Sequence, residues 1–160
     1  MTDAKAPAGT STAVKSGVPD DGKRPYKLEE QGGHLIRRAH QRASAIFQSV
    51  IGDAQITPTQ YAALVKLSEA TELSQNHLGR LTAMDPATTQ GVIRRLQDRD
   101  LIVARSDPAD RRRTLLSLSP AGRDLAARLV VNGPAVTEAT LEPLSPAERE
   151  VFLALLKRLA

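Results

Sequence analysis

The stretch Met84-Asp-Pro-Ala-Thr-Thr-Gln-Gly-Val-Ile-Arg-Arg-Leu-Gln-Asp-Arg-Asp100-Leu-Ile-Val-Ala-Arg-Ser-Asp-Pro-Ala-Asp-Arg-Arg-Arg113-Thr-Leu-Leu-Ser-Leu-Ser-Pro120 decides how the rest of this chain is read. Asp85-Pro86 marks a helix start. Aspartate accepts hydrogen bonds from the free amides of a first turn, and proline at the first helical position gives up no ladder bond. Beyond it, Val92 and Leu96 lie four apart with Ile93 beside them and form an inward stripe, which leaves Thr88, Gln90, Gly91, Arg94 and Arg95 on the outer and flanking surface. That surface is short, polar and basic. Leu101-Ile-Val-Ala-Arg105 and Thr114-Leu-Leu-Ser-Leu118 are two β-rich runs that pair as a hairpin around the arginine-dense turn Asp107-Pro-Ala-Asp-Arg-Arg-Arg113.

Upstream, Thr57-Pro58-Thr59-Gln60 is a capping box that opens a helix through Tyr61, Leu64, Val65 and Leu67 to about Glu69. Ser74 caps a short third helix with Leu78 and Leu81, stopped at Ala83-Met84-Asp85. Short helix, tight turn and second helix make a helix-turn-helix, with Pro86 to Arg99 as the member that enters a major groove and the hairpin as a wing. From Leu28 to Ile51, the residues Leu35, Ile36, Ala39, Ala43, Ile46, Phe47 and Val50 recur at three and four, so one amphipathic helix is expected, ended by Gly52-Asp53. After the wing, Ser119-Pro120 starts a helix through Leu125, Leu129 and Val130. Asn132-Gly133-Pro134 is expected to interrupt or kink it, with a second segment from about Ala135. Ser145-Pro146-Ala147-Glu148 is another capping box, and Val151, Phe152, Leu155, Leu156 and Leu159 form a broad stripe in the last helix.

The expected fold is therefore mainly α with a small β-hairpin wing: a winged helix-turn-helix lobe over residues 57–118, and helices over 27–56 and 119–160 for dimerisation. Residues 1–26, rich in Ala, Thr, Ser, Gly, Pro and Lys without an apolar face, are expected to be a mobile tail. Its Lys5, Lys15, Lys23 and Arg24 are available to brush phosphates, and an extension with no specific role is the plainer reading. With 160 residues and 41% hydrophobic ones the chain suits a single packed domain, and only 2% aromatics favours helices of Leu, Ile, Val and Ala over a sheet sandwich.

The chain has no cysteine, which excludes disulfides, thiol catalysis and Cys-ligated zinc. No secretory leader and no apolar run of about 18 residues is visible, so a soluble cytoplasmic protein with no membrane partner is expected. The net charge of +4 is modest, but between Pro86 and Arg113 seven arginines stand against four aspartates, a local basic patch suited to an anionic partner. There is no Gly-rich phosphate loop and no Ser-His-Asp order, so neither an enzyme nor a cofactor is expected. Three scattered histidines make no metal site.

The segment from Thr88 to Ser119, with Leu96, Leu101-Ile102, Asp107-Pro-Ala-Asp-Arg-Arg112 and Leu118-Ser-Pro-Ala-Gly122, resembles the MarR family of bacterial transcription regulators, and the helix order extends the likeness over about residues 28 to 160. The resemblance implies a winged-helix dimer with terminal helices interlocked across the two subunits. It also implies that the wing Asp-x-Arg, here Asp110 and Arg112, places its arginine in the minor groove, with Arg111 and Arg113 as phosphate contacts. Two departures stand out. Asp100 occupies a position after the recognition helix where many members have glycine, and it is expected to accept left-handed geometry. Gly91 stands where relatives often carry a long polar side chain, which favours close backbone approach to DNA over a base contact.

Read physically, Thr88 and Gln90 suit base edges, since glutamine pairs bidentately with adenine and threonine meets a thymine methyl. Arg94 and Arg95 suit phosphates, and Arg112 suits the enhanced negative potential of a narrow minor groove. An arginine run in a turn taken alone is equally a solvated loop. The first and last helices carry apolar stripes broader than one small lobe can cover, which points to a homodimer. The alternative is that the last helix packs only within its own subunit. A dimer would set its recognition helices about 34 Å apart and bind an imperfect palindrome in double-stranded DNA.

Relatives in the family bind small aromatic carboxylates, phenols or aromatic acyl-CoA thioesters, so the resemblance implies such an effector. The function expected is a repressor of aromatic-compound catabolism or response genes, released from its operator by an aromatic acid or its CoA thioester. His34, Arg37, Arg38 and His40 on the first helix suit a carboxylate or phosphates, and Tyr61 offers an aromatic wall or hydroxyl donor. Solvent-facing residues or intersubunit ion pairs are the plainer reading of the first four. The rival class is a sequence-neutral architectural DNA protein.

Overall fold

A computed structural model describes residues 25–159. A single turn of 3-10 helix at Leu28–Glu30 precedes α1 (Gly32–Val50), α2 (Pro58–Ser68), strand β1 (Leu73–Ser74), α3 (Gln75–Leu81) and α4 (Pro86–Gln97). Strands β2 (Ile102–Ser106) and β3 (Thr114–Leu118) follow, then α5 (Pro120–Leu141) and α6 (Pro146–Leu159). This is a winged helix-turn-helix carried on long helices. The tail expected over residues 1–26, with Lys5, Lys15, Lys23 and Arg24, lies outside the described residues up to residue 24.

The helix starts obey the local chemistry of their caps. Thr57 Oγ1 accepts from the Gln60 amide at 3.3 Å while Gln60 Oε1 accepts from the Thr57 amide at 2.8 Å, a closed capping box. Ser74 accepts from His77 N at 3.3 Å, Asp85 from Thr88 N at 2.9 Å and Ser119 from Gly122 N at 2.9 Å. At α6, Glu148 Oε2 accepts from the Ser145 amide at 2.8 Å and Ser145 Oγ from Glu148 N at 3.4 Å. Asp100 does take left-handed geometry, with φ +54°. Its carbonyl accepts from Ser119 Oγ at 2.6 Å, which knits the end of α4 to the start of α5.

Three expectations need correction. The first helix does not begin at Leu28: the chain makes a 3-10 turn there and α1 starts at Gly32. The wing is not a two-stranded hairpin alone, because Leu73 and Ser74 pair with Leu116 and Leu115 and give a three-stranded antiparallel sheet in the order β1-β3-β2. Two residues are too short a run for alternation to reveal, so the strand exists only through its partner. Asn132-Gly133-Pro134 does not interrupt α5, and no second segment starts at Ala135: one helix runs from Pro120 to Leu141 with Pro134 inside it. Proline removes one ladder bond, and packing of α5 against both α1 and α2 holds the helix through that loss.

One core runs through the lobe. Ile51, Ile56, Ala63, Leu64, Leu78, Val92, Leu96 and Leu116 are fully buried, joined by Leu125, Ala126 and Leu129 from the first half of α5. Ala83, between α3 and α4, has φ +51°, a strained geometry that costs about 1–2 kcal/mol for a residue with a β-carbon. Hydrogen bonds from Thr82 N to Leu78 O and from Met84 N to Gly79 O close the end of α3 around it. The distal helices behave differently: α1 buries only Phe47 and α6 buries no residue. Packing of α6 within its own subunit is therefore not what the structure shows.

Candidate nucleic-acid interface

Helix α4 shows its apolar side, Val92, Ile93 and Leu96, to the core and its polar side to solvent. Gln90, Arg94 and Arg95 are exposed with Ala87, and Gly91 lies half-exposed among them. The Arg95 guanidinium folds back, with its Nη1 3.5 Å from where a β-carbon on Gly91 would stand. Thr88 is half-buried and its hydroxyl donates to Asp85 Oδ2 at 2.6 Å, so the cap takes the hydroxyl and leaves the methyl for the thymine contact expected of it. These two bonds to Thr88 hold the Asp85 carboxyl below its usual range. Thr89, which periodicity had not placed, is buried, and its hydroxyl donates to the Asp85 carbonyl at 2.8 Å. A β-carbon on Gly79 would stand 2.8 Å from that Thr89 hydroxyl, so only glycine lets α3 and α4 approach this closely.

The wing turn is built by its aspartates. Asp107 Oδ1 accepts from Ala109 N at 2.9 Å, and Asp110 Oδ1 accepts from Arg112 N at 3.0 Å. Backbone bonds from Asp107 N to Arg113 O and from Arg113 N to Asp110 O close the loop, and Asp107 Oδ2 lies 3.8 Å from Arg113 Nε. Asp110 is thus a turn-former that sets the backbone from which the exposed side chains of Arg111, Arg112 and Arg113 leave.

The structure adds residues that sequence reasoning missed. Arg112 and Arg113 share an open polar cleft of ≈390 Å³ with Ser74, Gln75, Asn76, Arg80 and Thr114, so α3 and the wing form one cationic surface. At the base of the wing, Arg105 clasps Glu72 with both arms: Nε donates to Oε1 at 2.7 Å, and Nη2 meets Oε2. The guanidinium holds the Glu72 carboxyl below its usual range, and Glu72 in turn raises the Arg105 value. The alternation of β2 gave no hint of this partner, which lies 33 residues away.

The effector candidates fall in two places. His34 is half-buried and Arg37, Arg38 and His40 are exposed, all on the first half of α1. Tyr61 packs edge-on against Phe47 near the other end of that helix, with ring centres 5.5 Å apart at 62°. The thirteen positions from His34 to Phe47 span roughly 20 Å of helix, so a single chain does not bring the two groups together. Tyr61 instead lines a cleft of ≈460 Å³ with Phe47, Ile51, Val130, Gly133 and Val136 between α1, α2 and α5. Gly133 makes room for it: a β-carbon there would stand 2.6 Å from the Tyr61 hydroxyl. Among the described residues no group of three or more His, Cys, Asp or Glu could hold a metal ion, and no helix is long and apolar enough to cross a membrane.

Comparison with known proteins agrees with this geometry. Residues 54–113 match the model of the MarR family. The HTH-type transcriptional repressor NicR of Pseudomonas putida is 36% identical over 135 residues, 84% of this chain and 85% of NicR. Among solved structures, a probable transcriptional regulator from Pseudomonas aeruginosa is 47% identical with a TM-score of 0.78, covering 84% of this chain and 100% of that one. BpsR of Bordetella bronchiseptica, studied for regulation of its DNA binding by 6-hydroxynicotinic acid, is 42% identical with a TM-score of 0.79, covering 85% of this chain and 97% of BpsR. On its sequence, its capped groove helix and its wing, the chain belongs to the MarR family of transcriptional regulators.

Proposed function

We propose that the chain is a dimeric repressor that reads a palindromic operator and is released from it by a small aromatic acid. The observation that carries this is the exposure of one basic set on α3, α4 and the wing: Arg80, Gln90, Arg94, Arg95, Arg111, Arg112 and Arg113 are exposed, Arg80, Arg112 and Arg113 line one cleft, and Val92, Ile93 and Leu96 of α4 are buried. Gln90 serves an adenine edge, Gly91 allows close approach of the helix backbone, and Arg94 and Arg95 hold phosphates. Arg112, set by Asp110, enters the minor groove, with Arg111 and Arg113 on the flanking backbone. Thr88 contributes through its methyl, since its hydroxyl is committed to the cap.

Dimerisation is supported by the apolar side chains left in water: Leu35, Ile36, Val151, Leu155 and Leu159 are 49%, 56%, 59%, 49% and 74% exposed. The Tyr61 cleft is of a size for a single aromatic ring, and BpsR, with its 6-hydroxynicotinic acid, supports a pyridine or benzene carboxylate. His34, Arg37, Arg38 and His40 are assigned to the carboxylate or to the phosphates of a CoA thioester, reaching the cleft from a second copy of the chain. The test measures affinity for a palindrome from the gene's own upstream region against scrambled duplex at fixed salt, with and without 6-hydroxynicotinic acid. Preference for the palindrome, lost on adding the acid, is the expected result. A ratio near one would favour the architectural alternative.

A further inference from the structure

The end of α4 is tied to the corner between α1 and α2 by one bridging arginine. Arg99 Nη2 lies 3.2 Å from Asp53 Oδ2, and Arg99 Nη1 donates to the Gln55 carbonyl at 3.3 Å. The two side chains keep 28% and 22% of their surface. Every other ion pair among the described residues has a more exposed partner, so this one is the least screened by water.

The same corner is a wall of the Tyr61 cleft. Ile51 lines that cleft, and its carbonyl accepts from Asn132 Nδ2 at 3.0 Å. Gly52 follows with φ +88°, and a β-carbon on it would stand 2.9 Å from the same amide nitrogen. Asp53 Oδ1 then accepts from Gln55 N at 2.8 Å. Asn132 neighbours Gly133, the residue that seats Tyr61. A line of direct contacts thus runs from the cleft wall through Asn132, Ile51, Gly52 and Asp53 to Arg99. Arg99 sits between the α4 cap Asp98 and the left-handed Asp100, so a pull on its guanidinium acts on the end of the groove helix.

We infer that Asp53 and Arg99 are positioning residues that carry a change in the α1–α2–α5 cleft to the recognition helix. This rests on the reading of cleft and groove helix given above. The corner is closed by glycine geometry and side-chain bonds, so it shifts as a unit when α5 moves against α2. The bidentate grip of Arg99 on it, rather than the core contacts of Val92, Ile93 and Leu96, sets where α4 ends.

A wedge built into the chain tests this without an effector. Gly133→Ala presses a methyl against the Tyr61 hydroxyl, and operator affinity is measured at fixed salt for the full chain with this change, with Arg99→Gln, and with both. Gly133→Ala is expected to move operator affinity by about fivefold or more in the native background. With Arg99→Gln present, the same wedge is expected to move it by less than about twofold. Arg99→Lys, which keeps the charge toward Asp53 but gives up the fork that also holds the Gln55 carbonyl, is expected to lose most of the response. A merely structural role makes the two effects additive, and additivity overturns the inference; so does a wedge that leaves the affinity of the native background unmoved. Val136→Leu thickens the same wall and replaces Gly133→Ala if that variant fails to fold. A native chain indifferent to operator over scrambled duplex removes the regulatory reading along with the strut, a result distinct from additivity with preference intact.

Discussion

The winged lobe and the α1–α6 arms use the same residue types to opposite ends. In the lobe, apolar positions at helical spacing close on one another until Leu64, Leu78, Val92 and Leu96 lose all contact with water. In the arms, positions with the same spacing remain open: Leu35 and Ile36 on α1, and Val151, Leu155 and Leu159 on α6. Periodicity says which side of a helix is apolar. It does not say whether the chain itself supplies the surface that covers it. The lobe is complete in one copy, whereas the arms leave an apolar surface that a second copy would cover.

The sharpest break in that comparison is Leu155→Glu with Leu156→Glu. Charges on the open stripe are expected to give a monomer by sedimentation, with operator affinity lowered by roughly two orders of magnitude or more as the two half-sites cease to be bound together. The lobe should still unfold cooperatively at nearly its native temperature. A variant that stays dimeric would place the interface elsewhere.

Leu64→Ala probes the closed side. Removing a fully buried side chain is expected to cost about 2–5 kcal/mol in denaturant unfolding. Leu159→Ala, at 74% exposure, should change a monomeric background by no more than about 0.5 kcal/mol. Equal costs at both positions would erase the contrast.

Arg112→Ala leaves both packing regimes untouched. Operator affinity is expected to fall about tenfold with the unfolding temperature unchanged. Unchanged binding would remove the wing from the interface.

Glu72→Gln is the mildest change, and its effect depends on pH. The Arg105 guanidinium lowers the Glu72 carboxyl in the folded chain, so its contribution is in place above the ordinary glutamate range and lost as pH falls through the lowered value. Thermal unfolding scans from about pH 5 down to about pH 3 should show a shallower loss of stability in the variant than in the native chain. Parallel curves would mean that the clasp adds nothing to wing stability.

The caps were legible because each is a conversation among neighbours. Thr57 with Gln60, Asp85 with Thr88, Ser119 with Gly122 and Ser145 with Glu148 all close within three residues. The wing turn was legible for the same reason, and Asp100 took the left-handed geometry its position after the helix requires. Where a local rule met a tertiary one, the local rule lost. Pro134 stays inside α5 because that helix is gripped on two sides. The candidate site was half legible: the α4 face and the wing arginines were in view, while Arg80, the Glu72 clasp and the commitment of the Thr88 hydroxyl were not.

The sequence by itself determined where each helix with a side-chain cap starts, which side of a helix is apolar, and that a basic turn follows a capped polar helix. Those properties are set by side-chain hydrogen-bond acceptors at the caps and by side-chain spacing within a few residues. Only the tertiary structure decided that Leu73-Ser74 is a strand and that Arg99 reaches Asp53 across 46 positions. Such features have no local signal, because their energy comes from a partner that the fold alone brings within reach.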